Sequence, residues 1–171
     1  MSLLTSSPTI AFVALGSNLG DSQRVLREAM QRLQAISRHP LVQSSLWQTS
    51  PVDCPPGSPP FVNAVVALVP AAGESPESLL VKLRAMEMEF GRQPKEVHNE
   101  PRPLDLDLIA FGNETRKTPV LTLPHPRAHL RRFVLQPLSE IAPDLVLSGK
   151  TQTVVELLGA LETTEVLVCL G

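Results

Sequence analysis

Arg102-Pro-Leu-Asp105-Leu-Asp107-Leu-Ile sets two carboxylates two residues apart. Leucine and aspartate alternate with a period of two, which predicts a β-strand. Leu104, Leu106 and Leu108 then point to one face, and Asp105 and Asp107 to the other. Acids so spaced sit roughly 6–7 Å apart at Cα, and their side chains can converge on a hard cation. Mg²⁺ takes one or two carboxylates together with substrate phosphates and waters. Two acids facing a core repel each other and lose solvent, so a cation or water must answer them. The plainer alternative is a half-exposed strand with its acids in water.

Other segments carry chemistry of the same scale. Phe61 and Asn63 lie two apart in an apolar run and share a face if that run is a strand. A flat ring beside a carboxamide can stack on a planar heterocycle and read its edge. The alternative is a core phenylalanine with an edge asparagine. Arg92 and Arg102 flank a polar, proline-punctuated stretch and can bring planar, permanent charge to phosphates at the acidic pair. Solvated surface charge is the alternative for both. His125 and His129 show an H-x₃-H spacing, but Pro126 and the lack of a nearby third ligand argue against zinc. A phosphate hydrogen bond or a structural role remains for His125. Gly16-Ser-Asn-Leu-Gly20 lacks the ending of a P-loop and the spacing of a dinucleotide fingerprint, so it predicts only a tight strand-to-helix turn.

These residues need elements to hold them. Thr9 to Leu15 is apolar on both faces, as in a central strand. A helix follows from about Ser22 to Ile36, with Asp21 as N-cap and a stripe of Val25, Leu26, Ala29, Met30, Leu33 and Ile36. Leu41 to Gln48 predicts a second strand, and the proline-rich Thr49 to Pro60 a stiff loop. Phe61 to Leu68 predicts a third strand. Ser75-Pro76 starts a helix that carries Leu79, Leu80, Leu83, Met86 and Phe90 inward and stops at Gly91. Arg92 to Pro103 is a long loop, and Leu104 to Phe111 is the fourth strand. The order βαββαβ specifies an α+β, ferredoxin-like antiparallel sheet with helices packed on it. Beyond it the pattern is less regular: a short strand within Val120 to Leu123, a helix over Phe133 to Ile141 interrupted by Pro137, and a short helix from Val154 to Leu161.

Bulk properties narrow the function. The 171 residues suit a single domain. Hydrophobic content of 43% is ordinary, and no apolar run is long enough to span a bilayer. A net charge of −2 argues against nucleic-acid and anionic-membrane partners. Basic residues nevertheless cluster at Arg92, Lys95, Arg102, Arg127, Arg131 and Arg132, which suits an anionic small ligand carried with a metal. Cys54 and Cys169 give neither a disulfide framework nor a zinc spacing. Met1 to Pro8 lacks the basic and apolar parts of a secretory signal, so a cytoplasmic location is expected.

Ala14-Leu-Gly16-Ser-Asn18-Leu-Gly, Phe61-Val-Asn63-Ala-Val, Glu87 with Gly91-Arg92, Pro101-Arg102-Pro-Leu-Asp105-Leu-Asp107, Leu123-Pro-His125-Pro-Arg127 and Phe133-Val-Leu-Gln-Pro-Leu together resemble the 6-hydroxymethyl-7,8-dihydropterin pyrophosphokinases of folate biosynthesis, over about residues 9–147. The resemblance implies the same ferredoxin-like fold and transfer of diphosphate from ATP to the pterin hydroxymethyl group, with release of AMP. It implies two Mg²⁺ ions at Asp105 and Asp107, and Arg92 and Arg102 as catalytic cations. It implies a pterin held by Thr49, Pro51, Val52, Phe61, Asn63 and Phe133. It implies ATP bound by Glu87, Arg92, Arg102, Leu108, Thr122, His125 and Arg131. ATP and the pterin would be the only partners of a monomer. The chain departs from the family pattern at Pro94, Asn99-Glu100, Val120 and Pro126, which touch loop closure and nucleotide grip. A non-catalytic ferredoxin-like binding domain is the competing reading. An RNA-binding module is disfavoured by the absence of tyrosine and the negative charge.

Overall fold

The computed structural model describes residues 7–50, 55–91 and 102–171. Its strands and helices follow one another as β1 (Ala11–Ser17), α1 (Ser22–Ala35), β2 (Val42–Gln43), β3 (Trp47–Thr49), β4 (Phe61–Leu68), α2 (Pro76–Glu89), β5 (Asp105–Phe111), β6 (Arg116–Lys117), β7 (Thr122–Leu123), α3 (Arg132–Ile141), α4 (Val154–Ala160) and β8 (Leu167–Cys169). The main sheet has six strands in the order β5-β1-β4-β3-β8, and β2 also pairs with β4. Every pairing is antiparallel. The βαββαβ unit expected from the sequence is present, with β1 and β4 as its inner strands.

Strand alternation sorts the core into two layers. Val13, Leu15, Val62, Ala64, Val66, Leu104, Leu106 and Leu108 face α1 and α2. Phe12, Val65, Ala67, Ile109 and Ala110 face α3 and α4 on the other side. Leu26 and Leu33 of α1 are fully buried, worth about 1.5–3 kcal/mol each relative to exposure. Asp21 accepts the Arg24 N–H and caps α1. Ser75 and Ser78 close a capping box at the start of α2, and Gly91 ends it at φ +91°.

Three expectations are corrected, and one strand is added. Gly16 and Ser17 belong to β1 rather than to a turn, because β4 runs on beside both and β5 beside Gly16. The expected strand Leu41 to Gln48 is broken at Ser44. Its hydroxyl accepts the Val65 N–H at 2.9 Å while its own N–H donates to Val65 O at 3.0 Å, so a side chain stands where a ladder carbonyl would be. Pro137 does not interrupt α3. The missing proline N–H costs about 3 kcal/mol in a helix interior. Burial of Val134, Leu135 and Leu138 against the sheet, at about 1.5–3 kcal/mol each, offsets it. Finally, Leu167–Cys169 forms an unforeseen edge strand on β3.

Among the described residues, no helix is long and apolar enough to cross a membrane.

Candidate active site

The register of three strands places the chemistry. Gly16 of β1 is paired on one side with Asn63 of β4 and on the other with Asp105 of β5. Ala14, two residues earlier, lies between Val65 and Asp107. Asn63, Asp105 and Asp107 therefore share one face of the sheet, the face that α3 covers further along. Two interstrand steps of about 4.8 Å put Asn63 and Asp105 about 10 Å apart. Glycine keeps the floor between them open. A Cβ at position 16 would stand 3.2 Å from Asn63 Oδ1 and 3.8 Å from a Phe61 ring carbon.

The Asn63 carboxamide is buried and oriented. Its Nδ2 donates to Thr49 Oγ1 at 2.9 Å, and Thr49 is itself buried at the end of β3. Phe61 is half-buried on the same face and Phe133 packs half-buried against the α3-side core. Each ring has an arginine over it: Arg102 Cζ lies 5.9 Å from the Phe61 centroid and Arg131 Cζ lies 5.4 Å from that of Phe133.

The Asp107 carboxyl lies largely buried, two residues along β5 from a second carboxylate. Burial, and then the neighbouring Asp105 charge, push the Asp107 carboxyl up to about 7, against the opposing pull of Arg84 and Arg131. Arg102 Nη1 is 3.8 Å from Asp105 Oδ1, and that guanidinium is 13% exposed. Its Nε is buried without a hydrogen-bond partner among the described residues. A largely buried Asp107 carboxyl next to a second acid, beside a guanidinium whose Nε has no hydrogen-bond partner among the described residues, fits a site for a divalent cation and an anionic ligand.

A β-bulge brings in His125. Val13 pairs with Leu108 but Phe12 pairs with Ala110, so Ile109 is the extra residue. The freed Ile109 carbonyl accepts the His125 N–H at 2.8 Å. His125 Nδ1 accepts the Arg127 N–H at 3.1 Å, which leaves Nε2–H as the donor end. Burial, and then Arg131, lower this imidazole to about 4, so it is neutral near pH 7. Thr122 lies half-buried on β7, beside β5.

The outer edge of β5 is held by α2 rather than by a strand. Glu87, 2% exposed, accepts the Leu106 N–H at 2.7 Å. Arg84 donates through Nη1 to Leu106 O at 2.8 Å and to Glu87 Oε1 at 2.9 Å. The pair fixes the strand that carries both aspartates. Leu108 is buried on the opposite face, among the α1 and α2 contacts, so its backbone alone can approach a ligand over the acids.

Thus Thr49, Phe61, Asn63, Arg102, Asp105, Asp107, His125 and Arg131 gather around one end of the sheet, and Phe133 stands at its α3 side. Arg92, Pro51 and Val52 lie outside the described residues. Gly16, Asn18 and Arg84 were not singled out as functional. The Arg84–Glu87 spacing of three on a helix was the available signal.

The chain matches the family model for 7,8-dihydro-6-hydroxymethylpterin-pyrophosphokinase (HPPK) over residues 12–143. It is 38% identical over 156 residues to the 2-amino-4-hydroxy-6-hydroxymethyldihydropteridine pyrophosphokinase of Synechocystis, covering 91% of this chain and 78% of that one. It is 39% identical to the Haemophilus influenzae protein of the same description, covering 86% and 89%. Among solved structures it resembles an HPPK-DHPS in complex with substrates, with a TM-score of 0.73, 12% identity and coverage of 91% of this chain and 45% of that chain. The wild-type Plasmodium falciparum HPPK-DHPS gives 0.67 at 13% identity, covering 90% and 44%. The chain thus spans somewhat under half of those structures, and at such identity they establish the fold, which is ferredoxin-like.

Proposed function

The chain belongs to the 7,8-dihydro-6-hydroxymethylpterin-pyrophosphokinase family and is a diphosphotransferase of folate biosynthesis; from that premise we propose how its residues divide the work. The pterin lies over Gly16, with Asn63 reading its edge and Phe61 and Phe133 against its faces. Thr49 holds the Asn63 amide in register, and Pro51 and Val52, outside the described residues, are assigned to pterin contact as well. The triphosphate of ATP lies over Asp105 and Asp107. These carboxylates would hold two Mg²⁺ ions, which would supply positive charge to offset that of the phosphates.

The hydroxymethyl oxygen attacks the β-phosphorus of ATP and AMP leaves in line. Arg102 and Arg92 stabilise the charge that moves to the departing phosphate oxygen. His125, neutral and with Nε2–H free to donate, bonds a phosphate oxygen, and Arg131 adds charge beside it. Glu87 and Thr122 border the nucleotide, and Leu108 contributes through its backbone. Positioning and electrostatics supply most of the rate, and general-base work is minor.

One observation carries this reading: Asn63 and Asp105 flank Gly16 in a single row, so a heterocycle read at one end sets its substituent toward the acids at the other. A net charge of −2 supports small-molecule partners rather than nucleic acid or membrane. We read the protein as a cytoplasmic monomer. The test is to incubate it with MgATP and 6-hydroxymethyl-7,8-dihydropterin and separate the products. AMP matched one-to-one by pterin diphosphate is expected; ADP would mean ordinary phosphoryl transfer and would contradict the reading.

A further inference from the structure

Asn18 is 1% exposed and follows directly on β1. Its Oδ1 accepts the Arg102 N–H at 2.9 Å, and its own N–H donates to Arg102 O at 3.2 Å. This reciprocal pair clamps the backbone of Arg102 to the end of the central strand. The other end of the carboxamide, Nδ2, donates to Pro59 O at 3.3 Å. Pro59 stands two residues ahead of Phe61. One planar group thus ties the segment bearing the arginine beside Asp105 to the segment bearing the ring beside Asn63.

We propose that Asn18 is a positioning residue that sets the Arg102 guanidinium and the Phe61 ring relative to one another, joining the phosphate end of the site to the pterin end. The inference rests on the proposed role of Arg102. Only asparagine offers an acceptor and a donor in one short rigid plane; aspartate keeps the acceptor alone, and alanine keeps neither. The Arg102 side chain has little else to fix it. Nη1 is 3.8 Å from Asp105, Nε has no hydrogen-bond partner among the described residues, and Cζ lies over Phe61 at 5.9 Å. Its placement therefore depends on where its backbone is held. Misplacing a catalytic group by about 1 Å can cost on the order of 100-fold in rate. A merely structural asparagine would instead lower stability and leave the turnover of the folded protein intact.

The test is a double-mutant cycle between Asn18→Ala and Arg102→Ala, read as pterin-dependent AMP formation with each substrate varied. Asn18→Ala is expected to lower kcat by roughly 10- to 100-fold with KM for ATP changed less than about threefold. In the Arg102→Ala background it should have little further effect on kcat, within about threefold, because the catalytic group it positions is gone. Equal loss in both backgrounds, or no loss in kcat, overturns the inference. Full turnover by Arg102→Ala alone would instead overturn the role of Arg102, so the two failures are distinguishable. If Asn18→Ala does not fold, Asn18→Asp takes its place. It keeps the Arg102 bond and loses the Pro59 bond, so it should raise KM for the pterin at least about threefold while retaining more than about a third of kcat. An unchanged pterin KM in that variant contradicts the inference.

Discussion

Glu87 accepts the backbone N–H of Leu106 at 2.7 Å, from a helix to the strand residue that separates the two aspartates. With Arg84 on the adjacent carbonyl, α2 supplies the hydrogen bonds that a neighbouring strand would have made. The acidic pair is aimed by this edge as much as by its own strand. Glu87→Ala leaves a buried N–H unsatisfied and should destabilise the fold by about 1–3 kcal/mol. Glu87→Gln keeps an acceptor and should cost less. Urea denaturation of both variants checks the order, and equal stability of the two would contradict it.

Gly16 is needed for space rather than for backbone freedom. Gly16→Ala places a methyl 3.2 Å from Asn63 Oδ1, closer than ordinary van der Waals contact. Pterin affinity should fall by about tenfold, equivalent to about 1.4 kcal/mol, while MgATP affinity is nearly preserved. Calorimetry with each ligand separately reads the difference. Equal weakening of both would place the pterin elsewhere.

The alternation of leucine and aspartate was legible because a period of two needs no partner to be read. The helices α1 and α2 were legible for the same reason, from their stripes and caps. What escaped depended on remote partners. Gly16 and Ser17 have turn composition, yet β4 extends the ladder across both and β5 across Gly16. Ser44 breaks its strand by bonding Val65, 21 residues away. Asn18 meets Arg102 across 84 residues, so nothing local marks it. At β8 a signal existed, in the apolar run from Val166 to Leu170, but a three-residue edge strand shows only once β3 lies beside it.

His125 gives the fold an acid sensitivity with a definite sign. Its imidazole titrates at about 4 in the folded protein against an ordinary 6.5, through burial and then the charge of Arg131. A base lowered on folding binds its proton more readily in the unfolded chain. Its contribution is therefore complete above pH 6.5 and is lost as pH falls toward 4. Asp107, raised on folding, works in the opposite direction as pH falls below about 7, so the wild-type slope alone is mixed. The stability difference between wild type and His125→Gln isolates the histidine. Moving from pH 7 to pH 5 should shift that difference in favour of the variant, as read by denaturation of the ligand-free protein. A difference independent of pH would contradict the assignment.

The central claim is that Asp105 and Asp107 hold the metal-bound phosphates beside the pterin. The most direct measurement is MgATP binding and pterin-dependent AMP formation in Asp105→Ala and Asp107→Ala, with folding checked by circular dichroism. Folded variants with no Mg²⁺-dependent ATP binding and no AMP above background are expected. Normal turnover in either would contradict the account.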